Sequence, residues 1–327
     1  MKIALIGFGH VARGLVELLV TRREALLADY GFAPKVTAIL TRRGSAVDPA
    51  GLDLDREISL AGPPIPVEAA MDGADVVVEV TPTDAQTGGP GLEHCRLALK
   101  VGKHLVTANK GPLVVAYREL AALAKDRGVQ FRFEGTVMGG TPAMVLGLET
   151  LAAAGVRSVR GILNGTTNFI LTQMEAGGSY ADALKAAQVL GYAEADPTAD
   201  VDGWDAAAKA VILANTLLGG NLRVNDVERE GITGLTQSMI AKAKADRLRW
   251  KLIAEVKKDG EQVRASVRPT QILLTDPLAF VGGGMNALTF ETEAIGPTTL
   301  IGAGAGGKAT GFALLTDLLK IHRYAGK

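Results

Sequence analysis

The stretch from Gly191 to Lys209, GYAEADPTADVDGWDAAAK, gathers Glu194, Asp196, Asp200, Asp202 and Asp205 and closes on one lysine. Clustered acids suit a cationic group such as a substrate amine. A lysine beside them can give a proton to an oxygen that becomes negative, provided its pKa is brought toward neutrality. Asp205 and Lys209 are four apart, so one face of a helix carries both. On spacing alone, the same residues also describe a solvated acidic loop with a surface ion pair. A second motif lies at the N-terminus, where Gly7-Phe8-Gly9-His10-Val11-Ala12 follows the apolar run KIALI. Glycines there permit a tight turn and a close backbone approach to a pyrophosphate held at a helix N-terminus. Ala12 stands where a third glycine is common, and Gly14 adds a further small residue. The next apolar run ends LTRRGS, with Arg42 and Arg43 and no acid. Arginine at that point favours the 2′-phosphate of NADP, whereas NAD sites use an acid on the ribose. The pair also fits a solvated turn.

These residues need a scaffold. KIALI (2–6), KVTAIL (35–40), DVVVEV (75–80), HLVTA (104–108) and VQFRFE (129–134) read as buried strands. Helical patterns lie between them, one running from the glycine motif through Leu27, others over 92–100 and 112–127. Residues 41–65 read as irregular connection. Strands alternating with helices predict an α/β fold with an N-terminal doubly wound parallel sheet over 1–134. The pattern then changes. A glycine-rich turn opens a helix near 143–153, and runs at 249–258, 261–269 and 287–294 read as antiparallel strands of a second, open sheet. This places an α+β domain over 135–300. A closing glycine loop and helix, 301–327, would return to the first domain. Trp204 onward is strongly helix-forming, after Pro197 and Gly203.

Composition narrows the function. The chain has 327 residues, with 35 Lys plus Arg against 35 Asp plus Glu. Zero net charge argues against nucleic-acid binding or a membrane-surface role. No apolar run approaches the ~20 residues that span a bilayer. Cys95 is the only cysteine, which excludes an intrachain disulfide and fits a reducing, cytoplasmic setting. On a helical stretch it reads as a small buried residue. His10 reads as a helix-start residue, and no His/Cys/Asp spacing suggests zinc.

Taken in order, GFGHVARG (7–14), TPT (81–83), TANKGP (107–112), FEGTVMGGTP (133–142), GILNGTTNFIL (161–171) and AQVLGYAEADPTADVDGWDAAAKAVILA (187–214) resemble the homoserine dehydrogenase family. The resemblance covers nearly the whole chain. Its last three motifs are highly specific, and the first is shared with many dehydrogenases. It implies reversible, NADPH- or NADH-dependent reduction of L-aspartate 4-semialdehyde to L-homoserine, on the route to threonine, methionine and isoleucine. It also implies a Rossmann domain plus a domain that both dimerises, giving a homodimer, and holds the small-molecule substrate. Lys110 then resembles the family's lysine at the nicotinamide and substrate junction. Gly191, Glu194, Asp200 and Asp205 resemble its substrate-loop residues, and Lys209 its catalytic lysine. Glu134, with the carbonyls of Val137, Gly139 and Thr141, matches a family sodium site. Thr81, Gly304 and Gly306 resemble cofactor contacts beside the first glycine motif. The arginine pair departs from the family's usual acidic or serine-rich ending. Many members carry a regulatory domain after the catalytic part, and some are fused to a kinase. With the sequence ending at Lys327, the expectation is no threonine inhibition through such a domain. Two weaker alternatives are a related amino-acid dehydrogenase or reductase and a non-catalytic nucleotide sensor. Aspartate-semialdehyde dehydrogenase would need a nucleophilic cysteine, a setting that Cys95 lacks.

Overall fold

A computed structural model describes residues 1–325, apart from the side chain of Ala325. The chain divides into two compact units, Met1–Gly140 with the tail from Ala305, and Thr141–Gly304. The sequence pattern sets the breaks at 134/135 and 300/301, so each falls a few residues later in the structure.

In the first unit, the elements run β1 (Lys2–Ile6), α1 (His10–Thr21), α2 (Arg23–Tyr30), β2 (Lys35–Leu40), β3 (Ser45–Val47), α3 (Val67–Met71), β4 (Val76–Glu79), α4 (Gly89–Lys100), β5 (His104–Thr107), α5 (Lys110–Asp126) and β6 (Phe131–Arg132). The strands form one sheet in the order β3-β2-β1-β4-β5-β6. All pairs are parallel except β2 with β3. Strand order reverses between β1 and β4, and in doubly wound sheets ligands bind beyond the carboxyl ends of strands at such a point. Alternation along the strands fills two cores. Ile3, Leu5, Val76 and Val78 pack on one face with Leu15 and Leu19 of α1. Ala4, Ile6 and Val77 pack on the other with Cys95 and Leu99 of α4.

The second unit contributes α6 (Ala143–Val145), β7 (Val156–Ile162), α7 (Gly165–Glu175), α8 (Tyr180–Val189), α9 (Thr198–Val201), α10 (Trp204–Leu217), β8 (Glu228–Arg229), α11 (Gln237–Ala245), β9 (Leu248–Asp259), β10 (Gln262–Leu273), β11 (Met285–Thr292) and β12 (Gly296–Ala303). Its sheet order is β12-β11-β7-β9-β10-β8. Every pair is antiparallel except β8 with β10. Helices α7 and α10 pack on this sheet. Finally α12 (Gly307–Ala325) lies in the first unit. It meets α1 backbone to backbone: a Cβ on Gly14 would sit 2.4 Å from the Gly307 carbonyl oxygen, and one on Gly311 would sit 2.5 Å from the Leu15 nitrogen.

Several local expectations are corrected. The helix expected through Leu27 breaks at Arg22, whose φ of −112° and ψ of 11° leave the helical region. Residues 41–65 are mostly irregular but supply the edge strand β3. The strand expected over 129–134 shrinks to two residues, β6. The helix expected over 143–153 has one α-helical turn, then a wider π turn at Leu146–Thr150 and a 3-10 turn. Gly147 lies inside that wide turn, where a Cβ would come within 2.9 Å of Leu217 and Phe290. Close packing against those side chains overrides the helical pattern.

Candidate active site

In the second unit, Gly203 (φ +83°) begins α10, placing Asp205 in its first turn and Lys209 one turn later. Lys209 is buried, 7% exposed. Its Nζ donates to Asp205 Oδ2 at 2.7 Å and to the Leu163 carbonyl at 2.7 Å. Asn164 donates from Nδ2 to Asp200 Oδ1 at 2.6 Å and to Asp205 Oδ2 at 3.0 Å. Its Oδ1 accepts from Thr167 N at 2.8 Å, which caps α7. One amide therefore terminates a helix and ties two acids together. Burial pushes the Asp200 carboxyl above the usual carboxylate range, opposed by the Asn164 bond and reinforced by the Asp205 charge. Arg229 lies over the Trp204 ring at 3.6 Å and donates to the Asp202 carbonyl, fixing the start of α10. Two carboxylates against one lysine leave an excess of negative charge, which suits an ammonium group.

In the first unit, Gly7 holds φ +100°, and a Cβ there would lie 2.7 Å from the Val80 carbonyl oxygen. Its N–H donates to the Leu40 carbonyl at 2.8 Å. Gly9 precedes α1 and has nothing within 4 Å of a built Cβ. A helix N-terminus thus faces open space, which fits an anionic pyrophosphate. Arg42 and Arg43 are exposed after β2, on a turn held by Thr41 Oγ1, which accepts from Arg43 N and Gly44 N. Lys110 opens α5, and Asn109 Oδ1 accepts from Gly111 N at 3.0 Å to cap it. Glu134 is buried, and its N–H donates to Asp317 Oδ2 at 2.9 Å.

Residues 7–134 match the family model described as homoserine dehydrogenase, NAD binding domain, and residues 142–319 match that described as homoserine dehydrogenase. The chain belongs to the homoserine dehydrogenase family. A relative named NAD(+)-dependent homoserine dehydrogenase from Pseudomonas canavaninivorans is 43% identical, over 99% of this chain and 97% of its own. A homoserine dehydrogenase from Methanocaldococcus jannaschii is 40% identical over the full length of both. The crystal structure of a putative homoserine dehydrogenase from Archaeoglobus fulgidus superposes with a TM-score of 0.90 at 38% identity, covering 98% of this chain and 99% of that one. This homoserine dehydrogenase is an NAD(P)-dependent oxidoreductase acting on a small-molecule substrate. Among the described residues, no helix is long and apolar enough to cross a membrane.

Within the dehydrogenase, the structure joins Asp200, Asp205 and Lys209 in one network. Gly191 and Glu194 are exposed, and Glu194 shares no hydrogen bond or ion pair with that network among the described residues. Phe8, beneath the Arg13 guanidinium at 4.6 Å, and His10, Val11 and Ala12 follow the glycine turn into α1. Gly304 is buried against Asn286, where a Cβ would fall 2.1 Å from Cγ, and Gly306 is exposed with φ +128°. Glu134, Val137 and Gly139 lie in the first unit and Thr141 in the second, where its hydroxyl donates to the Ala303 carbonyl at 3.0 Å. Sequence reasoning missed Leu163 and Asn164, although both stand in the motif GILNGTTNFIL. An asparagine before GTT is a helix-capping signal. It also missed Glu79, the one acid in the apolar run VVVEV (76–80), and Asp317, the one acid in FALLTDLLK (312–320).

Proposed function

We propose that Lys209 delivers the proton to the aldehyde oxygen when aspartate 4-semialdehyde is reduced, and removes it when homoserine is oxidised. The observation that carries this is the buried Nζ held between Leu163 O and Asp205 Oδ2. A nicotinamide cofactor, when bound, supplies or accepts the hydride at the substrate carbon. Electrons move with the hydride, and the oxygen left with excess charge needs one proton. Asp205 and Asn164 orient Lys209. Asp200, Glu194 and Gly191 take the substrate ammonium, and Lys110 polarises the carbonyl. The test is a division of kinetic effects. Asp200→Asn should raise KM for homoserine by ~10-fold with a smaller change in kcat, whereas Lys209→Met should lower kcat with little change in KM. Identical patterns in both variants would overturn the division.

NADP(H) is proposed to bind more tightly than NAD(H), through Arg42 and Arg43 beyond β2, with Gly7, Gly9, Thr81 and the tail glycines Gly304 and Gly306 as further contacts. An arginine and a phosphate form a charge-assisted, commonly bidentate pair. The relative from Pseudomonas canavaninivorans is NAD(+)-dependent by name, so binding and turnover need separate measurement with both cofactors. Arg42→Ala/Arg43→Ala should erase the binding difference. An unchanged ratio of dissociation constants would remove the pair from cofactor selection.

A monovalent cation, sodium, is proposed near Glu134 with the carbonyls of Val137 and Gly139. In support, Glu134 is 2% exposed, and Met138 and Gly139 both have positive φ, 59° and 54°. That bends the chain sharply beside a buried carboxylate. Thermal stability should rise in sodium chloride over choline chloride at equal ionic strength, and Glu134→Gln should abolish the difference. A homodimer through the second unit's sheet is supported by exposed apolar residues on its strands, Leu273 at 62%, Met285 at 40% and Ile301 at 50%, and by Phe280 at 74% in the turn joining β10 to β11. Light scattering should report twice the monomer mass, and Phe280→Glu should weaken the association. The buried thiol of Cys95 fits the cytoplasmic placement.

A further inference from the structure

Glu79 is the last residue of β4 and is fully buried. A buried carboxylate is costly unless its lone pairs are filled. Here Oε1 accepts from Thr81 N at 3.0 Å and from the Thr81 hydroxyl. The Thr107 hydroxyl lies 3.4 Å from Oε2 and donates to the Glu79 carbonyl at 2.8 Å. Both threonines then lead to one residue. Asn109 Nδ2 donates to Thr81 Oγ1 at 3.4 Å, and Asn109 N donates to Thr107 Oγ1 at 3.0 Å. Asn109 in turn caps α5 through Gly111 N, and Lys110 is the first residue of that helix. Two relays therefore run from one carboxylate to the cap that sets Lys110.

Helix α4 seals this cluster. A Cβ on Gly91 would lie 2.4 Å from Asn109 Nδ2 and 3.2 Å from both Glu79 carboxylate oxygens. His94, one turn on, brings Nδ1 to 3.5 Å from Glu79 Oε1 and makes no hydrogen bond with it. Cys95 is the other titratable neighbour on that helix, and it is buried. With no slack around it, the cluster ties the ends of β4 and β5 to one geometry.

We propose that Glu79 is a positioning residue that acts through Thr81, Thr107 and Asn109 to fix Lys110 for catalysis. The proposal rests on the reading of Lys110 as the lysine at the substrate carbonyl. Its test is a double-mutant cycle on homoserine oxidation with Lys110→Ala, Glu79→Gln and both together, with kcat, KM and cofactor dissociation constants measured for each. Glu79→Gln keeps the shape and removes the charge. It should lower kcat by ~10- to ~100-fold, the scale of a sub-ångström to ångström misplacement, while cofactor binding changes by less than about threefold. In the Lys110→Ala background the same substitution should do almost nothing. A wild-type kcat in Lys110→Ala would overturn the reading of Lys110 itself. A large loss in Lys110→Ala with an undiminished further loss from Glu79→Gln would overturn the positioning proposal and leave Lys110 in place. Where Glu79→Gln does not fold, Asn109→Ser retains a capping oxygen and cuts the link to Thr81. It should show the same non-additivity with Lys110→Ala, and full additivity would overturn the proposal.

Discussion

Two acidic centres, one half-buried in the second unit and one fully buried in the first, meet opposite fates. In the second unit, Asp205 lies 2.7 Å from the Lys209 ammonium, with the side chains 18% and 9% exposed. In the first, Asp317 is 1% exposed and accepts a backbone N–H from Glu134. Burial pushes the Asp317 carboxyl up to about 8; the Glu134 N–H bond opposes that rise, and the Glu134 charge adds to it. Burial alone does not decide whether an acid stays charged. The Lys209 ammonium contacts the first, whereas at the second burial outweighs the opposing charges of Arg132 and Lys320, and the acid keeps its proton near neutrality. On the proposed role of Lys209 the paired centre orients and transfers a proton during turnover, whereas Asp317 ties α12 to the turn at Glu134.

Removing the cation is the harshest way to break this contrast. Lys209→Ala should lower kcat for homoserine oxidation by ~10²–10⁴, the range for a lost general acid or base. It should also cost stability of about 1–3 kcal/mol, because Leu163 O and Asp205 lose a buried donor. Urea denaturation monitored by circular dichroism checks the second effect. Burial makes this variant less innocuous than a surface lysine would be, so turnover is to be normalised to folded enzyme. A kcat within threefold of wild type would return Lys209 to a structural role.

A milder break lies at Asn164. Its amide holds Asp200 and Asp205 together, so Asn164→Ala frees both acids and uncaps α7. The expected loss is ~10-fold in kcat/KM, with about 1 kcal/mol of stability lost from the missing cap. Asn164→Ser should restore the stability through a capping hydroxyl without restoring kcat/KM, since serine cannot bridge the two acids. Recovery of both together would show that Asn164 matters only as a cap.

How far these centres were legible in the sequence follows from the range of the forces involved. The parallel strands are short runs such as KIALI and HLVTA, whose burial follows from composition, and they appear where expected. Asp205 and Lys209 are one helical turn apart, so local periodicity alone places them together. Leu163 accepts from Lys209 across 46 residues of chain, and Asn164 reaches Asp205 across 41; no local pattern encodes those contacts. The failed helix near 143–153 has the same origin. Its propensity is helical, and the close approach of Leu217 and Phe290 to Gly147 is a tertiary matter. Glu79 and Asp317 did leave a signal, each the one acid within a short run, VVVEV (76–80) and FALLTDLLK (312–320). A lone acid of that kind announces burial without naming its partner.

The smallest expected effect on turnover sharpens the comparison from the side of Asp317. The folded carboxyl of Asp317 titrates near 8, against ~3.9 for an aspartate in an unfolded chain. Below pH ~4 both states hold the proton, and the group contributes nothing to the pH dependence. Between pH ~4 and ~8 the unfolded chain has released a proton that the folded protein retains. Stability therefore falls as pH rises through that window, by at most ~1.4 kcal/mol per unit, and levels off above it. Asp317→Asn preserves the shape and removes the titration. Its stability relative to wild type should climb steadily from pH 5 to pH 8, read as a growing gap in urea midpoint. Homoserine oxidation at a fixed pH should change by less than twofold, because Asp317 has no part in proton delivery. Parallel stability curves for the two proteins would mean that Asp317 is charged in the folded state, held by a cation near Glu134, and would make the two acidic centres alike after all.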